Sequence, residues 1–140
     1  MSYGKHHSLK NKYLSCQKSS TNIKRMIIIT GQLLKIIGGI LTVDANEKML
    51  SCEIGYTINP KFRNKGYASE ALKRVLDFLL IEVEYNRIQA GHLADNPASG
   101  RVMEKAGMKY EGTLRQDNRN HEGILTNSKV YGILREDMLQ

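Results

Sequence analysis

The sequence predicts a single mixed α/β domain, and three observations support this fold class. The chain has 140 residues, which is enough for one domain with a sizeable core and too few for two. Strand-like segments rich in β-branched residues alternate with one segment whose apolar residues repeat at helical spacing and with a second that has the start and stop residues of a helix. Their order is β-β-α-β-α-β-β, which puts a strand–helix–strand unit at the centre of the domain.

An N-terminal arm is predicted over residues 1–25, followed by the domain over residues 26–140. The first 25 residues are rich in Lys, Ser and Asn and have no sustained periodicity. Residues 1–43 contain seven Lys and Arg and no acidic residue, whereas the formal charges of the remaining residues cancel. This pattern favours a solvated basic tail, with electrostatic attachment to RNA or another polyanion as the alternative.

Three β-rich segments precede the first helix, over residues 26–30, 33–43 and 49–58. A polar turn separates the last two, which predicts an antiparallel hairpin. Gly38 and Gly39 interrupt the second segment and indicate a bulge or a close approach of two backbones. Pro60 lacks the N–H that a strand ladder needs, so the third strand ends before it.

Two helices are predicted in the second half of the chain. Apolar residues repeat at spacings of three and four from residue 68 to residue 83, which predicts about four helical turns. After a strand over residues 87–93, Asn96 is placed to cap a second helix, with Pro97 at its first position. That helix runs to Ala106 and stops at Gly107. Two β-rich segments follow, over residues 108–116 and 126–134.

The composition argues against several classes of protein. Cys16 and Cys52 lack the spacing of a disulfide framework, and the four His residues form no ligand cluster, so no metal is expected. The apolar runs are far shorter than the ~20 residues that span a bilayer, and no segment has the pattern of a secretion signal. We therefore expect a cytoplasmic protein without a membrane partner.

The loop between the third strand and the first helix is a candidate anion site. Gly66 lets the backbone turn, and the first N–H groups of the following helix have no intrahelical partner. Arg63 and Lys65 add full positive charges beside the positive end of the helix dipole, so a pyrophosphate fits this chemistry. The alternative is an ordinary strand-to-helix turn with basic residues on its surface.

Four motifs, in this order, resemble those of the GNAT acetyltransferases. Arg-x-x-Gly-x-Ala at residues 63–68 is similar to the family signature that holds the pyrophosphate of acetyl-CoA. Residues 53–60, Glu-Ile-Gly-Tyr-Thr-Ile-Asn-Pro, resemble the preceding strand in the ribosomal-protein N-terminal acetyltransferase branch. Asn96-x-x-Ser99 with Glu-Lys-Ala-Gly-Met at 104–108, and then residues 130–138, resemble the later motifs of that branch. The resemblance covers about residues 33–138.

This resemblance implies the GNAT fold, a mostly antiparallel mixed sheet that is splayed between two central parallel strands and has flanking helices. The two strands would separate after Ile58, and backbone groups at residues 57–59 would bind the pantetheine amides of acetyl-CoA and polarise its thioester carbonyl. The implied cofactor-binding residues are Thr57, Ile58, Arg63, Asn64, Lys65, Gly66, Tyr67, Ala68, Asn96 and Ser99. Arg101 and Lys105 are interpreted as exposed helix charges.

The resemblance also implies direct transfer of acetyl from acetyl-CoA to a primary amine in a ternary complex, without an acyl-enzyme. Glu53 is the candidate base, because burial in an apolar strand would raise its pKa; the alternative is a carboxylate that faces solvent or pairs with a Lys. Ser99 is the implied donor to the leaving thiolate, and Tyr131 is either a rival donor or a core aromatic. Capping of the second helix explains Asn96 and Ser99 equally well.

The acceptor is a protein N-terminus or a small amine, and the sequence does not decide between them. Family members usually carry a strand and two helices before the segment that matches Leu33, and those helices help to wall the acceptor site. About 32 residues precede Leu33 here, so the wall is reduced, a second copy in a homodimer supplies it, or the chain is a shortened form. The alternative functions are a catalytically impaired CoA-binding module and an RNA-associated accessory protein that acts through its basic N-terminus.

Overall fold

The computed structural model describes residues 23–30 and 33–140 of the chain. The predicted arm therefore lies, up to residue 22, outside the described residues. The first strand begins at Ile23, three residues before the predicted start of the domain. Within the described residues, no helix has the length and apolar character that crossing a membrane requires.

Six strands form one mixed sheet, and its helices follow the strands as the sequence predicts. The strands are β1 (Ile23–Thr30), β2 (Leu33–Asn46), β3 (Ser51–Ile58), β4 (Arg87–Leu93), β5 (Lys109–Arg119) and β6 (Leu125–Leu134). The helices are α1 (Tyr67–Asp77), α2 (Pro97–Lys105) and α3 (Arg135–Met138), with a short 3₁₀ turn at Pro60–Phe62 before α1. The strand order is β1-β2-β3-β4-β6-β5. The predicted fold class is confirmed, and β1 corresponds to the β-rich segment predicted over residues 26–30, which the predicted element order did not count.

The gap in the sheet lies between β3 and β4, the only parallel pair among the described strands. These strands pair at Ser51 with Arg87, Cys52 with Ile88 and Glu53 with Gln89, and no further. Beyond that point β3 stays paired with β2 as far as Ile58, and β4 stays paired with β6 as far as Leu93. Each strand follows its outer neighbour, so the sheet opens five residues earlier than the predicted position after Ile58.

A bulge in β2 supports the last residues of β3, as the two glycines predict. The pairing of β1 with β2 passes from Gly38 directly to Ile36, which leaves Ile37 as the extra residue. A Cβ on Gly38 would collide with the Thr57 carbonyl oxygen, so this close approach requires glycine. The Ile37 carbonyl in turn accepts the Asn59 N–H at 2.6 Å. The bulge therefore fixes the strand end that leads into the α1 loop.

One face of the sheet carries the helices and the core. The helix after β3 continues beyond Asp77 as a π-helical turn, Phe78–Glu82. Its predicted apolar stripe is buried against the sheet at Ala68, Ala71, Leu72, Val75, Leu76, Leu79 and Leu80. Ile54 and Ile88 come from the two central strands and are also buried. The opposite face is open at the same level, where Glu53 is partly exposed and Val43 is 60% exposed.

An ion pair crosses that open face over Gly132 of β6. The Arg87 guanidinium donates to both carboxylate oxygens of Glu111, at 2.8 and 2.5 Å. A Cβ on Gly132 would meet this pair at less than 3 Å from the Arg87 nitrogen, so glycine leaves the space in which β4 and β5 are joined. The hydrogen bond from Arg87 holds the pKa of the Glu111 carboxyl below its usual range.

Replacing Glu111 with Gln is expected to weaken the fold at neutral pH and to leave it unchanged in acid. Because the folded-state pKa of Glu111 is lowered, its stabilisation is present above the ordinary carboxyl pKa and is lost as the pH falls through the folded value. The pair is partly exposed, so screening limits the effect at about pH 7 to less than ~1 kcal/mol. Urea unfolding across the acid range measures it, and a constant difference between the two proteins would contradict this account.

Candidate active site

A cavity of about 480 Å³ opens where β3 and β4 separate, between the loop before α1 and one face of α2. Its lining comes from three segments of the chain, with residues Tyr56, Thr57, Ile58, Phe62, Arg63, Asn64, Gly66, Tyr67, Ala68, Ser69, Asn96, Ala98, Ser99, Arg101, Val102 and Lys105. All the predicted cofactor-binding residues except Lys65 are in this set. The structure thus brings together the two predicted site segments, one before α1 and one at the start of α2.

The mouth of α1 has the geometry of an anion site. Asn64 and Gly66 adopt left-handed backbone conformations, with φ of 59° and 80°. The chain changes direction at these two residues and then enters α1. No side chain caps α1, and its first backbone bond runs from the Glu70 N–H to the Gly66 carbonyl. The N–H groups of Tyr67, Ala68 and Ser69 therefore stay at the helix end, beside the Arg63 side chain in the cavity lining.

Lys65 lies apart from this mouth. Its ammonium nitrogen is 5.7 Å from the centre of the Phe62 ring, a distance at which a cation and an aromatic face attract each other. Lys65 is not among the residues that line the cavity, and its contact with the cofactor stays a prediction. The sequence predicts that Arg63 and Lys65 both contribute charge to the anion site, but only Arg63 lines the cavity.

A hydrogen bond between Tyr56 and Ser99 joins the end of β3 to the first turn of α2. The Tyr56 hydroxyl lies 2.8 Å from the Ser99 carbonyl oxygen and 2.8 Å from Ser99 Oγ. Burial raises the pKa of Tyr56 and outweighs the opposite effect of the Ser99 bond. Tyr56 therefore stays protonated, and its single hydrogen goes either to the carbonyl or to Oγ. When it goes to Oγ, the Ser99 hydroxyl hydrogen is free to point into the cavity.

Asn96 does not cap α2 with its side chain, contrary to one of its two predicted roles. No side-chain cap bond forms at Asn96, although its backbone carbonyl accepts the Ser99 N–H at 3.2 Å. Pro97 occupies the first helical position as predicted, and Gly107, with φ of 97°, follows the end of the helix. Asn96 lines the cavity, as its other predicted role requires.

Tyr131 packs in the core beneath α2 and does not line the cavity. It is 4% exposed, and its hydroxyl donates to the Glu104 carboxylate at 3.2 Å. His92 lies beside it and donates from Nδ1 to the Leu93 carbonyl oxygen at 2.7 Å. A Cβ on Gly100 would come within 2.7 Å of His92 Nε2 and 2.9 Å of the Tyr131 hydroxyl. This packing holds α2, and with it Ser99, close to the sheet.

Replacing Gly100 with Ala is expected to destabilise the protein by about 1–2 kcal/mol. The overpacking against two buried side chains costs more than the gain in helix propensity returns. Urea unfolding measures the change, and Gly55→Ala is a matched control because its Cβ would only touch Val43 at 3.5 Å. Equal losses in the two variants would contradict a role for the contacts under α2.

The backbone groups that face the gap belong to Tyr56 and Ile58. Since the Asn59 N–H is bonded to the Ile37 carbonyl, alternation along β3 directs the polar groups of Asn59 and Thr57 towards β2. Those of Tyr56 and Ile58 point the other way, into the space that β4 has left. The sequence predicts that the backbone groups of residues 57–59 all face the gap. Among these three residues, only Ile58 directs its N–H there.

Glu53 lies at the apex of the gap, on the side of the sheet opposite the helices. It lines a separate small cavity of about 140 Å³ with Asp44, Arg87 and Gln89 among its neighbours. Gln89 Nε2 donates to Glu53 Oε2 at 3.5 Å, and no ion pair with a Lys is seen for Glu53 among the described residues. The structure thus separates Glu53 from the large cavity while keeping it at the point where the strands part.

The charge of the large cavity is entirely positive among the described residues. Arg63, Arg101 and Lys105 line it, and no carboxylate does. Arg101 and Lys105 are exposed residues of α2, as interpreted from the sequence, and they also share its cavity face with Ala98 and Val102. The spacing of these four residues (three, four and seven from Ala98) is the signal that identifies the face. Tyr56 and Phe62 were also missed, because their role depends on contacts across the fold.

A fold split between two parallel strands, with an uncapped helix mouth and a cationic cleft, has the chemistry that suits a ligand carrying phosphate groups. The profile of the acetyltransferase (GNAT) domain matches residues 5–109. The chain therefore belongs to the GNAT acetyltransferase family.

Individual relatives agree with this family. The probable N-acetyltransferase YjcK of Bacillus subtilis is 34% identical over 111 residues, which cover 79% of this chain and 56% of the relative. The ribosomal protein uS5-alanine N-acetyltransferase of Escherichia coli is 31% identical over 80 residues, 54% of this chain and 41% of that one. The crystal structure of a GNAT acetyltransferase from Bacillus anthracis superposes with a TM-score of 0.71 at 34% identity, over 82% of this chain and 67% of that chain. The chain spans about half the length of the curated relatives it matches.

Proposed function

We propose that this chain is an acetyl-CoA-dependent N-acetyltransferase that transfers acetyl directly to a primary amine in a ternary complex. The observation that carries the proposal is the cationic cavity, which runs from the mouth of α1 to the gap between β3 and β4. It offers anion-binding N–H groups at one end and strand backbone groups at the other. A ligand with a diphosphate at one position and an amide-containing arm at another fits this arrangement.

The α1 mouth and Arg63 bind the diphosphate in this proposal. Three backbone N–H groups and a guanidinium supply charge and hydrogen bonds to oxygen atoms that would otherwise be solvated. The backbone of Tyr56 and Ile58, together with the Asn96 amide, is placed to bind the pantetheine arm in the gap. An N–H of this strand end also donates to the thioester carbonyl oxygen, where negative charge develops during transfer.

Glu53 accepts the proton of the attacking amine through water. Tyr56 is three positions further along β3, which is about 10 Å at the rise of a strand. Glu53 is therefore too far away to take the proton directly from an amine that lies beside Ser99. The amine approaches from the open face of the sheet, where Glu53 is partly exposed beside Gln89. A carboxylate at the apex of the gap can then receive the proton while the reacting carbonyl stays on the other side.

Ser99 donates to the leaving thiolate, and Tyr56 holds it in place. The two hydroxyls are 2.8 Å apart in the cavity lining. When the Tyr56 O–H donates its hydrogen bond to Ser99 Oγ, the Ser99 O–H is left to point at the thiolate and pass its proton to the sulfur. Ser99 Oγ regains a proton from water in the open cavity, so both hydroxyls end the step neutral. Chemistry of this kind needs no covalent intermediate on the protein.

The acceptor is either a protein N-terminus or a small primary amine. The similarity to the uS5-alanine N-acetyltransferase supports the ribosomal-protein branch and a peptide beginning with Ala as the first acceptor to test. The open face around Glu53 is where this acceptor binds in the proposed mechanism.

Calorimetry with acetyl-CoA, followed by an acceptor screen that detects free thiol, tests the function. Tight binding with thiol release that depends on an amine supports the transferase. Binding of acetyl-CoA without thiol release for any peptide or small amine would contradict the transferase and favour a CoA-binding module. Binding of RNA without binding of acetyl-CoA would contradict it and favour an RNA-associated function.

A further inference from the structure

The cavity face of α2 carries two cations one helical turn apart. Arg101 and Lys105 both line the cavity, and at a rise of 1.5 Å per residue their Cα atoms lie about 6 Å apart along the helix. Lys105 is in the last turn, and Ser99 is at the other end of the helix, beside Tyr56. Lys105 therefore lies at the end of α2 away from Ser99, and Arg101 lies between the two.

This charge is uncompensated among the described residues. No carboxylate is seen within ion-pair distance of Arg101 or Lys105 in that part of the chain, where Arg87, Lys109 and Arg135 each have one. Glu104, which precedes Lys105, accepts the Tyr131 hydroxyl. Two like charges at this spacing repel each other by a few tenths of a kcal/mol, and an anion between them would convert the repulsion into attraction.

The cavity thus has two separate anion positions. The first is the mouth of α1 with Arg63, and the second is the Arg101–Lys105 pair on the facing helix. A simple diphosphate occupies the first position only. Coenzyme A carries, besides its diphosphate, a phosphate monoester on the ribose 3′ oxygen, and this group has about two negative charges near neutral pH.

We infer that Arg101 and Lys105 form a second anion subsite that binds the ribose 3′-phosphate of coenzyme A and makes the protein selective against 3′-dephospho-CoA. The inference rests on the proposed function, since it needs coenzyme A in the cavity. Arg101 supplies a planar donor fork and Lys105 a point charge, a combination suited to a phosphate monoester at the edge of a cleft.

Calorimetric titration of the full chain with CoA and with 3′-dephospho-CoA tests the subsite. The wild-type protein is expected to bind CoA about tenfold more tightly, the factor that two partly screened charge contacts provide. In Arg101→Ala/Lys105→Ala the two ligands should bind with equal affinity, while 3′-dephospho-CoA binds as it does to the wild type. Lys73→Ala/Arg74→Ala is the matched control, because it removes the same net charge from an exposed part of α1 outside the cavity.

The outcomes separate the two proposals. Equal affinity of the wild type for both ligands, or tenfold selectivity that persists in the double variant, would overturn the subsite and leave the transferase intact. Loss of selectivity in the control double variant would assign it to the general charge of the protein and also overturn the subsite. A wild-type protein that binds neither ligand would overturn the proposed function itself.

Discussion

The Glu53→Gln protein is expected to bind acetyl-CoA like the wild type and to release thiol about 10²-fold more slowly with the amine that the wild type acetylates. The loss of a group that accepts the amine proton is worth this factor or more. Binding is unaffected because Glu53 lies outside the large cavity and contributes to a separate one. Calorimetry and initial rates at saturating acetyl-CoA give the two quantities separately.

Asp44→Asn provides the matched control for this experiment. Asp44 pairs with Glu53 across β2 and β3 and lines the same small cavity, so its replacement removes a carboxylate from the same surroundings. We expect the rate of the Asp44→Asn protein to be close to that of the wild type. Full activity in Glu53→Gln, or an equal loss in both variants, would remove Glu53 as the proton acceptor.

The division of the loss between kcat and KM separates proton transfer from acceptor binding in this pair. If Glu53 acts as the base, Glu53→Gln lowers kcat at saturating amine and leaves KM for the amine close to the wild-type value. A carboxylate that merely attracts a cationic acceptor would instead change KM for the amine and leave kcat unaltered. A variant that alters KM alone would therefore assign Glu53 to acceptor binding.

Local signals in the sequence predicted the parts of the site that depend on neighbouring residues. The 63–68 loop could be identified because a turn at Gly66 and a helix start are properties of a few consecutive residues. The start of α2 at Pro97 and its end before Gly107 could be predicted for the same reason. Gly38 likewise marked the bulge, since the close approach of a carbonyl excludes a side chain there.

The rest of the site depends on contacts between distant residues, which no local pattern reveals. Tyr56 and Ser99 are 43 positions apart in the chain, and only the approach of α2 to the end of β3 brings them together. The position of the gap was missed because residues 54–58 keep a strand-like composition after the pairing with β4 has ended. The family profile begins at residue 5, within a segment whose polar composition predicts only an arm.

Replacing Ser99 with Ala is expected to lower kcat by about 10²-fold, and replacing Tyr56 with Phe by about tenfold. In the proposed mechanism Ser99 gives its proton to the thiolate, whereas Tyr56 acts only through Ser99, and the hydrogen bond from Tyr56 to Ser99 is worth about 1–1.5 kcal/mol. The double variant should therefore be no slower than Ser99→Ala alone, which a double-mutant cycle measures directly.

Tyr131→Phe controls for the loss of a buried hydroxyl under α2. It removes the bond to Glu104 without touching the cavity, so its kcat should match that of the wild type. Additive losses in the Tyr56 and Ser99 variants would show that the two hydroxyls act independently and would contradict the positioning role of Tyr56. If instead Tyr131→Phe were slow and Ser99→Ala fully active, Tyr131 and not Ser99 would be the proton donor. The reason is that only a group in contact with the sulfur can limit the departure of the thiolate.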